Sequence, residues 1–169
     1  GPAEIFCEVK TQLEFISLVS FCQKEKIPLT IIGWGANTLI ADRGIRGLVV
    51  KYTTQQITVK QNAVAGTLVD DVQARWQHSD SEVQEYPQFD TINYSESDKP
   101  RVEVEIEAGV PLPFAINALL QQGITGLQWF SRIPATVGGA IYNNIHGGTH
   151  FMSEYVQSVT VINAEGEQK

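Results

Sequence analysis

The chain has 169 residues, of which 43% are hydrophobic, enough for a real core in one domain or two small ones. Its formal net charge of -7, with no window of clustered Lys and Arg, argues against a nucleic-acid-binding surface. No apolar stretch approaches the ~20 residues of a membrane-spanning helix, so a membrane partner is not expected either.

The first residues and the two cysteines bear on the origin of the chain. Residues 1–2, Gly-Pro without an initiator Met, resemble a protease-cleavage scar and are left out of the fold prediction. Cys7 and Cys22 could pair in principle, but both lie among apolar residues. They are interpreted as buried free thiols, which suits a reducing compartment and predicts a cytoplasmic protein.

The first fifty residues follow a strand–helix–strand pattern. Residues 4–9 form a short strand candidate, and Thr11 and Glu14 have the spacing of a capping box at the start of a helix. The apolar residues that recur at helical spacing, and so predict its buried face, are Leu13, Phe15, Ile16, Val19 and Cys22. A polar turn is predicted at 42–47 and a further strand at 48–52.

An apolar run at residues 29–32 ends abruptly in a glycine-rich loop, residues 33–38. Gly35 can adopt positive φ and lacks the Cβ that would keep a ligand away from the backbone. Successive N–H groups in such a turn can converge on an anion, and Asn37 and Thr38 add short polar side chains. The loop is therefore a candidate phosphate cradle, although a strand-ending turn without a ligand fits the same residues.

The middle of the chain is predicted to hold short strands and one long polar segment. Residues 56–60 and 63–68 are strand candidates. Residues 77–100 are rich in Ser, Asp, Glu and Gln and poor in aliphatic side chains. This composition predicts an exposed insertion that is partly disordered.

Regular patterns return after the polar segment. Residues 101–107 alternate strictly, which predicts a half-buried strand. A helix is predicted over 112–122, with a proline just before it and a glycine just after it. Trp129 and Phe130 are expected in the core. Residues 155–163 alternate again and are predicted to form a last strand before a turn.

A second glycine-rich stretch lies about a hundred residues after the first, at residues 133–140. It opens with a proline-fixed turn, and Thr136 is a candidate helix cap. Gly138, Gly139 and Ala140 leave one side of this element almost bare, so that its backbone could touch a flat or charged ligand. Close packing between a helix and a sheet, which also needs small residues, is the alternative interpretation.

Other candidate site residues are less specific. His146 and His150 are four residues apart, but no Cys or carboxylate completes a zinc-like set and the glycines between them disfavour a helix, so no metal is expected. Trp34 could stack on a ligand ring or simply pack. Arg132 could reach a phosphate or be a solvated surface residue.

Many short strands and a few helices indicate an α+β fold. We predict two small lobes, residues 3–52 and residues 53–169 with the exposed insertion at about 77–100. A ligand would lie between the two lobes, which is a common position for a cofactor.

The two glycine-rich stretches together resemble a known family. Residues 31–39 (IIGWGANTL) resemble the phosphate loop of bacterial UDP-N-acetylenolpyruvoylglucosamine reductases, typically Gly-x-Gly-Ser-Asn-x-Leu, with Ala36 in place of Ser. Residues 133–140 (IPATVGGA) resemble the family's Ile-Pro-Gly-Thr-Val-Gly-Gly-Ala segment, with Ala135 in place of Gly. Residues 107–112 and 126–129 match further family segments in the same order.

The resemblance implies an FAD-binding domain of the vanillyl-alcohol-oxidase (PCMH) type, in which two α+β subdomains hold FAD between them. The first loop would bind the pyrophosphate through backbone N–H groups, and the second stretch would line the flavin. Some relatives attach flavin covalently through a His in the phosphate loop. This chain has no His in residues 33–38, so noncovalent FAD is expected. The cofactor-binding residues implied are Gly33, Trp34, Gly35, Ala36, Asn37, Thr38, Gly109, Ile133, Pro134, Ala135, Thr136, Gly138, Gly139, Ala140, Asn143 and Asn144.

The implied activity is that of a reductase in peptidoglycan synthesis. NADPH would reduce FAD, and the flavin would reduce enolpyruvyl-UDP-N-acetylglucosamine to UDP-N-acetylmuramate. Residues 144–151 depart from the family pattern on the side implied to face the substrate. The family's catalytic Arg, Ser and Glu and its UDP-sugar contacts belong to a later domain that this sequence does not contain, so no catalytic residue is assigned and the fragment is expected to be inactive alone. Another FAD-linked oxidoreductase, or a stand-alone flavin-binding module without turnover, remains the alternative.

Overall fold

The computed structural model describes residues 1–60, 101–163 and 166–169. The strands are β1 (Ala3–Val9), β2 (Leu29–Ile32), β3 (Ile45–Tyr52), β4 (Ile57–Lys60), β5 (Glu103–Ile106), β6 (His146–Gly147) and β7 (His150–Phe151). The α-helices are α1 (Gln12–Lys24), α2 (Leu112–Leu120) and α3 (Val137–Tyr142), and 3-10 turns span Leu127–Phe130 and Met152–Glu154. This mixture confirms the predicted α+β class.

The first three strands form a parallel sheet in the order β1-β3-β2. Ile5 of β1 and Leu29 of β2 both pair with Leu48 of β3, which is the central strand. Because β3 is flanked on both sides, it carries the most buried run of the sheet, including Val50 at 0% exposure. β3 begins at Ile45, so the predicted polar turn at 42–47 was wrong for its second half.

Helix α1 begins at the predicted capping box. The Thr11 hydroxyl accepts from the Glu14 N–H at 3.2 Å, and the Glu14 carboxylate accepts from the Thr11 N–H at 3.1 Å. Phe15, Val19 and Cys22 are buried against the sheet as predicted, but Leu13 is 77% exposed. The buried stripe of α1 is therefore narrower than the apolar pattern predicted.

Both cysteines are free thiols, as predicted. Cys22 is buried at 2% exposure and Cys7 is half-buried. Burial raises the pKa of the Cys22 thiol because desolvation disfavours the thiolate. The two belong to one hydrophobic cluster, made by the parallel sheet and α1.

The antiparallel pair β4–β5 follows. Val59 pairs with Val104, and the apolar residues of β5 are half-buried while its glutamates are exposed, as the alternation predicted. Lys60 bonds Glu103 at 2.8 Å, and this carboxylate raises the pKa of the lysine. Both side chains are about half exposed, so the pair adds little to stability.

A second hydrophobic cluster is centred on α2, the Leu127–Phe130 turn and α3. Leu112, Ala115 and Phe130 are each 0% exposed, and Trp129 packs against them with partial exposure. The predicted core aromatics are therefore confirmed. No helix in the described ranges is both long and apolar enough to cross a membrane.

The strands predicted at 155–163 and 63–68 have different outcomes. Residues 155–163 do not form a strand, and Val159 and Val161 are about half exposed. The Val161 and Lys169 backbones do bond each other in both directions, but this pairing extends to one isolated bridge only. The predicted strand at 63–68 and the predicted insertion at 77–100 lie outside the described residues.

Candidate functional site

The first glycine-rich loop follows β2 and is open. Gly35 has φ +71°, and a Cβ added there would meet no atom of the described residues within 4 Å. In the part of the chain that the structure describes, its one internal hydrogen bond runs from the Thr38 N–H to the Gly35 carbonyl at 3.2 Å. The amides of residues 34–37 donate to no described protein group. They are therefore free to donate to a ligand.

The second stretch is closed by comparison. Thr136 caps α3 as predicted, and its hydroxyl accepts from the Gly139 N–H at 3.2 Å. The Val137 N–H donates to Val110, and the Gly138 N–H donates to Ala108 at 2.8 Å. The first amides of this helix thus have protein partners and are not a free anion site.

The position of Gly138 has no room for a side chain, because a neighbouring residue lies against it. A Cβ added there would come within 2.8 Å of the Ala108 Cβ. At Gly139 an added Cβ would meet, among the described residues, only the Thr136 hydroxyl, at 3.2 Å. Close packing therefore explains Gly138, whereas Gly139 has more space around it.

The structure brings the two stretches together. A Cβ added at Gly33 would lie 2.5 Å from the Thr136 hydroxyl oxygen, so the loop backbone rests on the cap of α3. The Asn37 side chain donates to the Asn143 side chain at 3.1 Å, and Asn143 donates onward to the Gly139 carbonyl at 2.9 Å. Residues about a hundred positions apart thus form one surface.

The other predicted site residues surround this surface to different degrees. Pro134 is exposed and Ile133 and Ala135 are half-buried, whereas Ala140 is 0% exposed within the second core cluster. Gly109 is buried, and an added Cβ would lie 2.6 Å from backbone atoms of Tyr52 and Thr54. The small size of Gly109 is thus needed for packing at the end of β3.

Asn144 follows the end of α3 and has a left-handed conformation, with φ 43°. Its side-chain oxygen accepts from the Ser153 N–H at 2.9 Å. This bond ties the end of the helix to the Met152–Glu154 turn. The Asn144 side-chain oxygen therefore has a structural partner.

His146 and His150 lie on the short antiparallel pair β6–β7 and not on a helix. His150 bonds Glu154 at 2.9 Å, and its ring lies 4.7 Å from the Trp129 ring. The Phe151 N–H, and then His150, lower the pKa of the Glu154 carboxyl. Among the residues with described positions, no group of three or more His, Cys, Asp or Glu could hold a metal ion.

Trp34 is 47% exposed within the open loop, and Arg132 is exposed before the second stretch. Exposure of this kind fits a ligand contact as well as a simple surface position for both residues. The contact of Asn37 with Asn143 was not predicted, because sequence periodicity carries no signal for a pairing between residues so far apart.

The sequence of the chain is similar to those of known flavoproteins and reductases. Residues 89–169 match the family described as FAD binding domain. Over 96% of its length the chain is 26% identical to a UDP-N-acetylenolpyruvoylglucosamine reductase of Syntrophus aciditrophicus, covering 41% of that protein. The reductases of the same name from Prochlorococcus marinus and Clostridium novyi are 28% and 29% identical over 99% of this chain, which covers 45% and 42% of them.

These matches confirm the resemblance inferred from the two glycine-rich stretches. The match to the FAD binding domain also supports the predicted cofactor class. The chain spans less than half the length of the curated relatives it matches.

Proposed function

We propose that this chain is the FAD-binding portion of an NADPH-dependent flavoprotein reductase that converts enolpyruvyl-UDP-N-acetylglucosamine to UDP-N-acetylmuramate in peptidoglycan synthesis. The observation that carries the proposal is the junction of the two glycine-rich stretches on one surface, at Gly33–Thr136 and Asn37–Asn143. The similarity to reductases over nearly the whole chain supports it.

The open loop fits a pyrophosphate. Residues 34–37 are exposed and their amides donate to no described protein group, and at Gly35 the absence of a Cβ keeps the backbone accessible. Backbone N–H groups that converge in a turn favour an anion. In the proposed site, Gly33, Trp34, Gly35, Ala36, Asn37 and Thr38 surround the pyrophosphate, and the amides of residues 34–37 donate to it.

The second stretch has a different role in the proposed site. Its first amides already have protein partners, so it offers shape more than hydrogen bonds. Gly139 leaves room beside the Thr136 cap for a flat ring to approach. Residues 133–136, Gly138, Gly139, Ala140, Asn143, Asn144 and Gly109 are proposed to line or support the flavin side.

The two hydrophobic clusters support the proposed division into subdomains at 3–52 and 53–169. One cluster contains α1 and the parallel sheet, and the other contains α2 and α3. The cofactor would lie where the first loop meets α3. When bound, the flavin supplies the hydride chemistry, and this chain's residues bind and orient it.

The remaining parts of the proposal concern reductant, substrate and location. NADPH is the proposed reductant, and the UDP-sugar is proposed to bind in the part of the relatives outside the aligned region, which is more than half of their length. A cytoplasmic location and noncovalent attachment are proposed with it. Another FAD-linked oxidoreductase is the second candidate, because residues 144–151 depart from the family pattern.

The test is a titration of the purified chain with FAD, followed by acid precipitation. We expect saturable binding, with all flavin recovered in the supernatant. Flavin that stays on the precipitated protein would contradict noncovalent attachment. A chain that is folded by circular dichroism yet does not bind FAD would contradict the proposed function itself.

A further inference from the structure

We propose that Asn37 and Asn143 form a latch that holds the open loop in its binding conformation before the cofactor arrives. Both would then be positioning residues, and their side chains would not contact the cofactor. This inference rests on the proposed function, because it concerns the same loop.

The bonds of Asn143 fix one half of this asparagine latch. Its backbone N–H and its side-chain amide both donate to the Gly139 carbonyl, at 3.2 and 2.9 Å. These two bonds hold the side chain against the end of α3. Its remaining oxygen accepts from Asn37 at 3.1 Å. The side-chain oxygen and nitrogen of Asn143 are thus both engaged within the protein.

The loop needs such a tie because little else holds it. In the described chain its one internal hydrogen bond joins Thr38 to Gly35, and no atom lies within 4 Å of the position of a Gly35 Cβ. The close approach of Gly33 to Thr136 fixes only the first residue of the loop. The asparagine latch fixes the fifth residue.

A loop held at both ends presents its amides without a further ordering step. Ordering a flexible loop at the moment of binding costs conformational entropy, and a loop ordered in advance avoids much of that cost. The latch therefore raises affinity without touching the ligand. The two asparagines act through one hydrogen bond. Replacing either of them should therefore weaken FAD binding as much as replacing both.

The experiment is a double-mutant cycle with Asn37→Ala, Asn143→Ala and the double variant. FAD affinity is measured at a temperature at which every variant is fully folded. Each single variant should bind FAD about threefold to tenfold more weakly, as expected for one lost hydrogen bond. The double variant should bind no more weakly than the weaker single variant.

The matched control is Gln122→Ala. The Gln122 side-chain amide donates to the Ala118 carbonyl at 3.1 Å, so the same kind of bond is lost away from the loop. This variant should bind FAD like the parent. A purely structural role for the asparagines would lower stability as Gln122→Ala does and leave the affinity of folded protein unchanged, which would overturn the latch.

The stability of the parent, the two single variants and the double variant is also measured without FAD, from their urea unfolding midpoints. A latch predicts that the two single losses are not additive there either. If the parent binds FAD but both cycles are additive, the latch is wrong and the proposed function stands. If the parent does not bind FAD, the proposed function fails, and the unfolding cycle alone decides whether the two side chains are coupled.

Discussion

The two glycine-rich stretches look alike in sequence and differ in physical reason. In the first, Gly35 faces open space and the neighbouring amides donate to no described protein group. In the second, Gly138 lies against Ala108, and the amides of Val137 and Gly138 donate to carbonyls that follow β5. One stretch leaves its backbone free for a ligand, and the other uses its backbone to join two parts of the protein.

This difference teaches that a glycine can be required for access or for packing. The two requirements respond differently to substitution. A side chain in the open loop should leave the fold in place and block the ligand. A side chain in the closed stretch should cost stability first.

The largest effect is expected for Gly138→Val. The new side chain would have to displace Ala108, whose Cβ lies 2.8 Å from the added Cβ. Overpacking of this kind costs about 1–3 kcal/mol and occasionally more. The free energy of unfolding from urea denaturation should fall by an amount at the upper end of that range.

Gly139→Ala is the control for that variant. It lies on the same helix, and its added Cβ meets only a hydroxyl, at 3.2 Å. Its loss of stability should be much smaller. Equal losses at the two positions would show that the helix tolerates no side chain at all, and would remove the packing argument for Gly138.

The next effect is expected for Gly35→Val, paired with Gly123→Val. Both glycines have left-handed backbone, with φ +71° and +72°, and at neither would an added Cβ meet an atom of the described chain within 4 Å. Each substitution should therefore cost about 1–2 kcal/mol of stability from backbone strain. Only Gly35→Val should abolish FAD binding, measured by titration of folded protein.

The pairing separates strain from access. Loss of FAD binding in both variants would show that strain alone disturbs the site from a distance. Retained binding in Gly35→Val would show that the glycine serves the turn and not a ligand.

A smaller effect is expected for Thr136→Val, at the junction of the two stretches. The shape is kept, but the hydroxyl that accepts from Gly139 is lost, so about 1 kcal/mol of stability should be lost as for other helix caps. The thermal midpoint measures this. Thr136→Ser keeps the hydroxyl and should retain most of the cap, and an equal loss in both variants would contradict a capping role.

The smallest effect is expected for Glu154→Gln, which tests the region after the second stretch. The Phe151 N–H and then His150 lower the pKa of this carboxyl below its ordinary 4.5. Its contribution to stability is therefore complete above pH 4.5 and is lost as the pH falls through the lower folded pKa. Gln should lower the thermal midpoint at neutral pH, and the difference should vanish at lower pH. A difference in thermal midpoint between the parent and Glu154→Gln that does not change with pH would show that the charge of the carboxylate is not its cause.

Much of the local structure could be predicted from the sequence because it depends on neighbouring residues. The Thr11–Glu14 capping box, the Thr136 cap and the alternation in β5 all formed as predicted. Each needs only residues within one turn or one strand. The glycine pattern likewise located both stretches of the candidate site.

The failures share a dependence on distant residues. Leu13 continues the apolar stripe of α1, but no element in the described part of the chain buries it, and it stays exposed. Residues 155–163 alternate like a strand, but within the described residues their pairing amounts to one isolated bridge, so the alternation is not enough. Gly138 is packed because Ala108, thirty residues earlier in the chain, lies against it, and the local glycine pattern does not show this contact.

The most direct test of the central claim is hydrogen exchange of individual amides with and without FAD. The account predicts that the amides of residues 34–37 exchange quickly in the free chain and slow on addition of FAD. The amides of Val137 and Gly138 should be protected in both states, because they already donate within the protein. Unchanged exchange at residues 34–37 in a chain saturated with FAD would contradict the assignment of this loop as the phosphate cradle.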